Sequence, residues 1–323
     1  MGMWRKWIPT AVVVVALAGS AQANLLFHYT FDDGTATSST GANHGTVTGA
    51  VGSATSKVGA QSLSFDGNND WVENANLGTR STFSYSFWYN TPNGQSCCDN
   101  GAVLYTNGGW GNDSLHSNLT SGSSRIWNEI HSGNQRSSGA VATALNTWNH
   151  MVAVFDSSAI TYYVNGVQDP VGSQTMSGPQ ARLDVTRIGA WNTDRDYTGL
   201  LDDWAMFGDA LTAAEATSLY NLANDALNYN AGDAQNLFDL YAAGSGTVTI
   251  GADTWEPTAG LGGNAGDVID LGGGIKALQL DPNGGGLRMV REQDGIVPEP
   301  ATLCLLGLGL AGCWAGARRR LRR

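Results

Sequence analysis

Cysteine is scarce in this 323-residue chain. There are four, and Cys304 and Cys313 fall in an apolar run near the C-terminus, which leaves only the adjacent pair Cys97 and Cys98. A small domain held by disulfides needs several bridges, so a disulfide-built scaffold is excluded. The pair is expected to staple a loop, through a vicinal bridge or a link to a second chain. A structural zinc site needs four ligands, and His28, His44, His116, His131 and His150 show no ligand spacing near the pair. Charge is sparse too: 14% of residues are charged, with 28 acids against 17 bases. Glutamate occurs only at positions 73, 129, 215, 256, 292 and 299, and no Gly-x-Ser-x-Gly elbow is present. Long hydrophobic runs are confined to the two ends.

The N-terminal run, Ile8 to Ala18, follows Arg5 and Lys6 and precedes Ala21-Gln22-Ala23. That order is a signal peptide with cleavage before Asn24. The C-terminal run, Ala301 to Ala317, is uncharged and followed by Arg318, Arg319, Arg320, Arg322 and Arg323. As a helix rising about 1.5 Å per residue it barely covers a bilayer core, and arginines on one side alone would hold that end in the cytoplasm. Val297, Pro298, Glu299 and Pro300 precede it; the prolines stop the helix and leave extended backbone for a protease. This trio of motif, helix and basic tail resembles the PEP-CTERM sorting signal of Gram-negative bacteria. The resemblance implies cleavage by an exosortase-type membrane peptidase after passage through the secretion machinery. The expected route is export, a transient inner-membrane anchor, then the cell envelope, outer surface or extracellular matrix of a biofilm.

The two terminal segments hold seven bases and no acid, so the formal charge of −11 becomes −18 for residues 24–300. That excess argues against nucleic acid as a partner and suits solubility or divalent cations outside the cell.

Between the signals, short alternating apolar runs recur among Gly, Ser, Thr and Asn, the pattern of an all-β chain. Phe83, Tyr85, Phe87 and Tyr89 alternate with smaller residues and should share one face of a strand. Trp148 to Phe155 reads as another strand. Asn165-Gly166 after Thr161-Tyr162-Tyr163-Val164 predicts a type I′ hairpin, because both turn positions need positive φ. Thr212 and Glu215 form a capping box that starts one short helix, sealed by Leu211, Leu219 and Leu222.

Six ordered landmarks resemble the LamG-like, concanavalin A-type jelly-roll domains of exported bacterial proteins. They are Leu26 to Asp32; Ala60 to Gly67 with Asp70-Trp71-Val72; Phe83 to Trp88; Trp148 to Ala153 before the Asn165-Gly166 turn; Arg187-Ile188-Gly189; and Gly199 to Phe207 with Asp209 to Thr212, Glu215 and Tyr220. The fold implied is a double-sheet jelly roll, whose members include binders and hydrolases. Relatives that hydrolyse β-glucans carry clustered acids on one strand, in a Glu-x-Asp-x-x-Glu arrangement that is missing here. Glycosidases need two facing carboxylates, and only Glu73 and Glu129 fall on expected strands of the main domain. Enzymatic activity is therefore not expected, with a glycan hydrolase as the outsider.

The resemblance also implies a structural calcium, for which Asp32, Asn43 and Asp202 are the expected ligands, with Asp203 as an alternative. Ser38 stands where that loop usually carries an aspartate. In the competing reading Asp32-Asp33-Gly34 is a simple turn and one of Asp202 and Asp203 bonds to backbone. A second Gly- and Asp-rich stretch, Gly262 to Asp270, matches a calcium-binding nonapeptide only as a single broken copy, and reads as a turn before a strand.

Sugar rings present apolar faces that stack on aromatic side chains. Trp110 and Asn112, among the glycines of 107–113, and Trp191, Asp194 and Tyr197, in a loop mixing rings with donors and acceptors, are the expected ligand contacts. Each ring could instead anchor its own loop. Beyond Leu222 the chain is Gly-rich and lacks aromatic residues from Glu256 to Cys313, so a thin aliphatic core is expected there. Thr247 to Ile250, Val268 to Leu271, Lys276 to Leu280 and Leu287 to Val290 read as its strands.

The resulting organisation is a signal peptide at 1–23, a jelly roll at 24–222, a small β module or stalk at 223–296 and a sorting segment with a transmembrane helix at 297–323. Two roles fit it: a protein binding polysaccharide or another surface ligand, and a structural matrix component without a discrete ligand.

Overall fold

The structure, a computed structural model, describes residues 24–290 except 75, 93–100, 107–112, 120–124, 131–134, 177–180, 192–194 and 226. The leader, Cys97, Cys98 and the sorting segment with its expected membrane helix lie outside the described residues. Among the described residues, no helix is long and apolar enough to cross a membrane.

Two antiparallel sheets face each other in a jelly-roll-like arrangement. Across the larger, neighbouring strands run β14 (Val167–Gln168), β13 (Ala159–Val164), β12 (Asn149–Asp156), β7 (Thr82–Asn90), β18 (Thr198–Phe207), β4 (Ser62–Asp66) and β3 (Val51–Ser53); β1 (Leu25–Tyr29) pairs with β18 and β15 (Gln174–Thr175) with β13. Across the smaller they run β11 (Gln135–Ser138), β10 (Ile126–Ile130), β9 (Leu115–Leu119), β8 (Ala102–Thr106), β17 (Thr186–Ile188), β5 (Trp71–Asn74) and β2 (Thr46–Thr48). A ribbon of β6 (Thr79–Arg80) and β16 (Ala181–Arg182) completes this part of the chain.

The period of two along β7 decides where the core lies. Phe83, Tyr85, Phe87 and Tyr89 enter the space between the sheets, where Trp204 stacks on Tyr85 at 5.7 Å and on Phe87 at 5.8 Å. The Asn165-Gly166 turn joins β13 to β14 with φ of 50° and 76°, the positive values its sequence predicts. A polar chain crosses this apolar interior. The Tyr85 hydroxyl donates to Asn128 Oδ1 at 2.8 Å and lies 2.6 Å from Ser117 Oγ, while Asn128 Nδ2 donates to Tyr162 Oη at 2.9 Å. Burial pushes both tyrosine hydroxyls well above their ordinary pKa, so they stay neutral donors.

Two helices cover the back of the larger sheet. α1 (Ala213–Asn224) starts at the expected Thr212–Glu215 capping box, whereas α2 (Ala231–Ala243) is a helix that sequence reading does not anticipate. Beyond them lies a five-stranded sheet in the order β19 (Val248–Ile250), β20 (Asp253–Thr258), β23 (Gly286–Val290), β22 (Ile275–Gln279) and β21 (Val268–Gly272). One apolar cluster runs from Val152, Ala205 and Phe207 of the larger sheet, through Leu219 of α1 and Phe238 of α2, to Leu278 and Leu287 of that third sheet. Fully buried Trp255 sits in it, so the core there is not aliphatic alone. The stretch Gly262 to Asp270 does form a turn leading into a strand: Asn264 N–H donates to Asp267 Oδ2 at 2.7 Å just before β21. Both helices pack on the larger sheet. The outer face of the smaller sheet is therefore left without a helical layer among the described residues.

Candidate ligand-binding face

Inward and outward positions on the smaller sheet separate cleanly. Leu115, Leu119, Ile126 and Ile130 point into the core, and Ser117 and Asn128 reach Tyr85 across it. His116, Asn118 and Glu129 alternate with them and point the other way.

The register places one residue from each strand on a single line across that outer face. Thr46 pairs with Glu73, Glu73 with Arg187, Arg187 with Tyr105, Tyr105 with His116, His116 with Glu129, and Glu129 with Arg136. At about 4.8 Å per strand the row is about 29 Å long. Its near end is open to solvent, but Tyr105, His116 and Glu129 in the middle are each 1% exposed or less.

Aromatic stacking and charge are combined along it. Tyr105 and His116 stack at 4.4 Å, Trp191 lies 6.2 Å from each, and the Arg195 guanidinium sits 4.5 Å over the Trp191 ring. Arg195 Nη1 donates to Tyr105 Oη at 3.4 Å, and Tyr105 donates to Asn118 Oδ1 at 2.8 Å. Towards the open end, Arg187 Nε donates to Glu73 Oε2 at 2.7 Å and its guanidinium covers Trp71 at 5.0 Å. Tyr105 and His116 are buried and support the half-buried Trp191 ring and Arg195 guanidinium, which offer a ligand an apolar face with a donor beside it. Glu73 and Glu129 share this face but are four strands apart, about 19 Å, well beyond the roughly 5 to 9.5 Å that separates the carboxyl groups of a glycosidase.

Of the expected ligand contacts, Trp191 lies on this face, and Trp110, Asn112 and Asp194 lie outside the described residues. Tyr197 is a correction: its ring is fully buried against Phe65 in an edge contact of 5.8 Å, and its hydroxyl donates to Leu200 O at 3.2 Å, so it supports the core. Sequence reading missed Tyr105, His116, Asn118, Arg187 and Arg195 as a group. Tyr105, His116 with Asn118, and Arg187 lie on three strands and Arg195 lies in a connecting segment, so only the folded register brings them together.

The residues expected to hold calcium bond to the protein's own groups. Asp32 Oδ1 accepts the N–H groups of Ala60 and Gln61. Asp202 accepts from Lys57 at 2.7 Å and Val58 at 3.0 Å through Oδ2, and from Asp203 at 2.9 Å through Oδ1. The two carboxylates thus clasp the backbone of 57–61, with amide hydrogens directed at the lone pairs a cation would use. Asn43 Nδ2 donates to Leu26 O at 2.8 Å, and its backbone carbonyl accepts from the Tyr29 hydroxyl at 2.7 Å. No group of three His, Cys, Asp or Glu able to hold a metal occurs among the described residues. Burial pushes Asp202 up to about 8, against the lowering effect of its three amide partners and with a further rise from the Asp203 carboxylate.

Residues 66–217 match the family described as the concanavalin A-like lectin/glucanases superfamily, and residues 297–320 match the PEP-CTERM protein-sorting motif. No match is found among curated proteins. Similar solved structures include domain 4 of AbnA, an extracellular arabinanase from Geobacillus stearothermophilus in complex with arabinotriose, at 20% identity over 61% of this chain and 98% of that one, with a TM-score of 0.49. Another is the botulinum neurotoxin type G receptor binding domain, at 17% identity over 62% of this chain and 51% of that one, with a TM-score of 0.49. A third is the native heptameric SAP-like pentraxin from Limulus polyphemus, at 16% identity over 52% and 84%, with a TM-score of 0.41.

Proposed function

Proceeding from a chain with a concanavalin A-like match at 66–217 and a PEP-CTERM motif at 297–320, which marks export and sorting at the membrane by exosortase, we propose a glycan binder that does not cleave glycosidic bonds. In this reading the processed protein stays in the cell envelope or extracellular matrix and takes a neutral polysaccharide along the outer face of its smaller sheet. The observation that carries it is the half-buried stack of Arg195 on Trp191, held from below by the buried rings of Tyr105 and His116. The charge of −18 over residues 24–300 repels anionic polymers and favours an uncharged one. The separation of Glu73 from Glu129 supports binding over glycoside hydrolysis.

The test is a calorimetric screen of the intact protein against the host's own exopolysaccharides and a panel of neutral glycans, with calcium and with chelator. Saturable binding is expected in both conditions. Trp191→Ala should weaken it about tenfold or more, a loss of about 1.4 kcal/mol. Trp110→Ala should also weaken it, since Trp110 belongs to the segment joining β8 to β9. No binding to any glycan would sink this reading in favour of a structural matrix role, and turnover of a glycan lost in Glu129→Gln would replace it with a hydrolase.

A further inference from the structure

At the back of the larger sheet, away from the glycan face, His28 is fully buried beneath the start of α2. Its neighbours in β1, Phe27 and Tyr29, face the core between the sheets, so the imidazole points to the opposite side. His28 Nε2 lies 2.5 Å from Asp203 Oδ1, and His28 Nδ1 lies 2.9 Å from the hydroxyl of Ser39, an exposed residue. Asp203 is fixed in turn, because Ala231 N–H, at the first position of α2, donates to both its oxygens at 3.2 and 3.1 Å. Its backbone has φ of 46° at an irregularity in the pairing of β18 with β7, a distortion that re-aims a side chain out of the strand's ordinary alternation.

We propose that Ser39, His28 and Asp203 form a nucleophilic acyl-ester hydrolysis site. The Asp203 carboxylate accepts a hydrogen bond from Nε2–H and so fixes the tautomer, and the Nδ1 lone pair faces Ser39 and accepts its hydroxyl hydrogen. This is the nucleophile, base and orienting acid in hydrogen-bond contact that such chemistry requires. Ser39 and Thr40 line an open cleft of about 650 Å³ bounded by Asn24, Asn230 and Gly232, with Asp233 and Asp239 on its wall. Gly232 explains itself only here. Its backbone is ordinary helix, where glycine costs about 1 kcal/mol against alanine. Any side chain would bring a Cβ to 3.0 Å from His28 Nδ1 and 3.4 Å from Ser39 Oγ, closing the space in front of the hydroxyl. As a first-turn residue it also has an N–H without an intrahelical acceptor, at the positive end of the helix, suited to an oxyanion.

The reaction balances with water alone. Ser39 Oγ bonds to the acyl carbon as its proton passes to His28 Nδ1, and the departing alkoxide takes that proton as the ester C–O bond breaks. Water, deprotonated by His28, then releases the acid and restores Ser39. The amide-bearing and acidic lining, with no basic residue, disfavours substrates that carry a phosphate, a sulfate or a free carboxylate. It fits a short-chain acyl ester of an uncharged, polar alcohol, such as an O-acetylated sugar.

The test applies a fluorophosphonate probe to the intact protein, read by peptide mapping, beside turnover of p-nitrophenyl acetate. One phosphonyl group per chain on Ser39 is expected, and Ser39→Ala should lose at least 100-fold in turnover. Since replacing buried His28 risks the fold, Gly232→Ala is the second probe, expected to cut labelling at least tenfold with a native near-UV spectrum. Natively folded wild-type protein left unlabelled at Ser39, or turnover unchanged in Ser39→Ala, overturns the proposal, whatever the outcome of the glycan screen.

Discussion

Asp202 is fully buried, and its elevated pKa makes stability depend on pH in a definite direction. Unfolded it titrates near 3.8, folded near 8. The folded state therefore holds a proton that the unfolded state has released between those values. The contribution is fully present below about pH 4 and is lost as pH rises to 8, at up to about 1.4 kcal/mol per pH unit. His150 acts in the opposite sense, because burial, helped by the charge of Lys57, lowers it from 6.5 to about 3. Its contribution is present above pH 6.5 and is lost as pH falls towards 3. The two together place the stability maximum at mildly acidic pH. Asp202→Asn isolates the first effect: in thermal melts, the stability of the parent relative to the variant should fall steadily from pH 4 to 8 and change little above. A difference that stays flat through that window would mean that Asp202 is ionised in the fold.

Among the elements, β7, β9, β10, β11 and β13 are tied together by Tyr85, Ser117, Asn128, Ser137 and Tyr162. Asn128→Ala removes one hydrogen bond from each of two buried hydroxyls, which keep Ser117 and Ser137, so a loss of about 1 to 3 kcal/mol is expected in denaturant unfolding. A loss under about 0.5 kcal/mol would show that the tie is not structural. The sequence makes some elements plain and hides others. β7, the Asn165-Gly166 hairpin and α1 carry strong local signals: strict alternation, a turn pair that tolerates positive φ, and a capping box. α2 has comparable punctuation in the Asn230 and Asp233 box and in Gly244 at φ 66°, but its asparagines and aspartates resemble a loop. β20 is disguised by Pro257, which sits beyond the end of the pairing with β19. The cross-strand row is the least legible. Glu73 and Glu129 stand out singly, yet Tyr105, His116 and Arg187 join them only through strand pairing, which for Arg187 and Tyr105 links segments distant in sequence. The same holds for Asp203, whose partner His28 lies 175 residues away.

For the whole molecule, the end signals and the acidic middle are divided by charge, with seven bases in the terminal segments and an excess of acids between them. In the proposed route, export places the acidic body outside and leaves the arginines behind. Replacing Pro298, Glu299 and Pro300 with alanine should block processing, so that mass spectrometry of the membrane fraction finds the chain with its arginine tail retained. Recovery of the same shortened species from the variant would refute exosortase processing at this motif. If the proposed route leaves the protein attached by its C-terminal end, that end carries mechanical load. The chain leaves the described fold at Val290, the end of β23, which is the middle strand of its sheet, with β20 on one side and β22 on the other. Tension on that end pulls β23 lengthwise between two antiparallel neighbours, so the hydrogen bonds of both ladders are strained together in shear instead of opening one at a time. Drag on a bound polymer would thus be resisted by the small sheet nearest the anchor, and the jelly roll that holds the ligand could stay folded under flow.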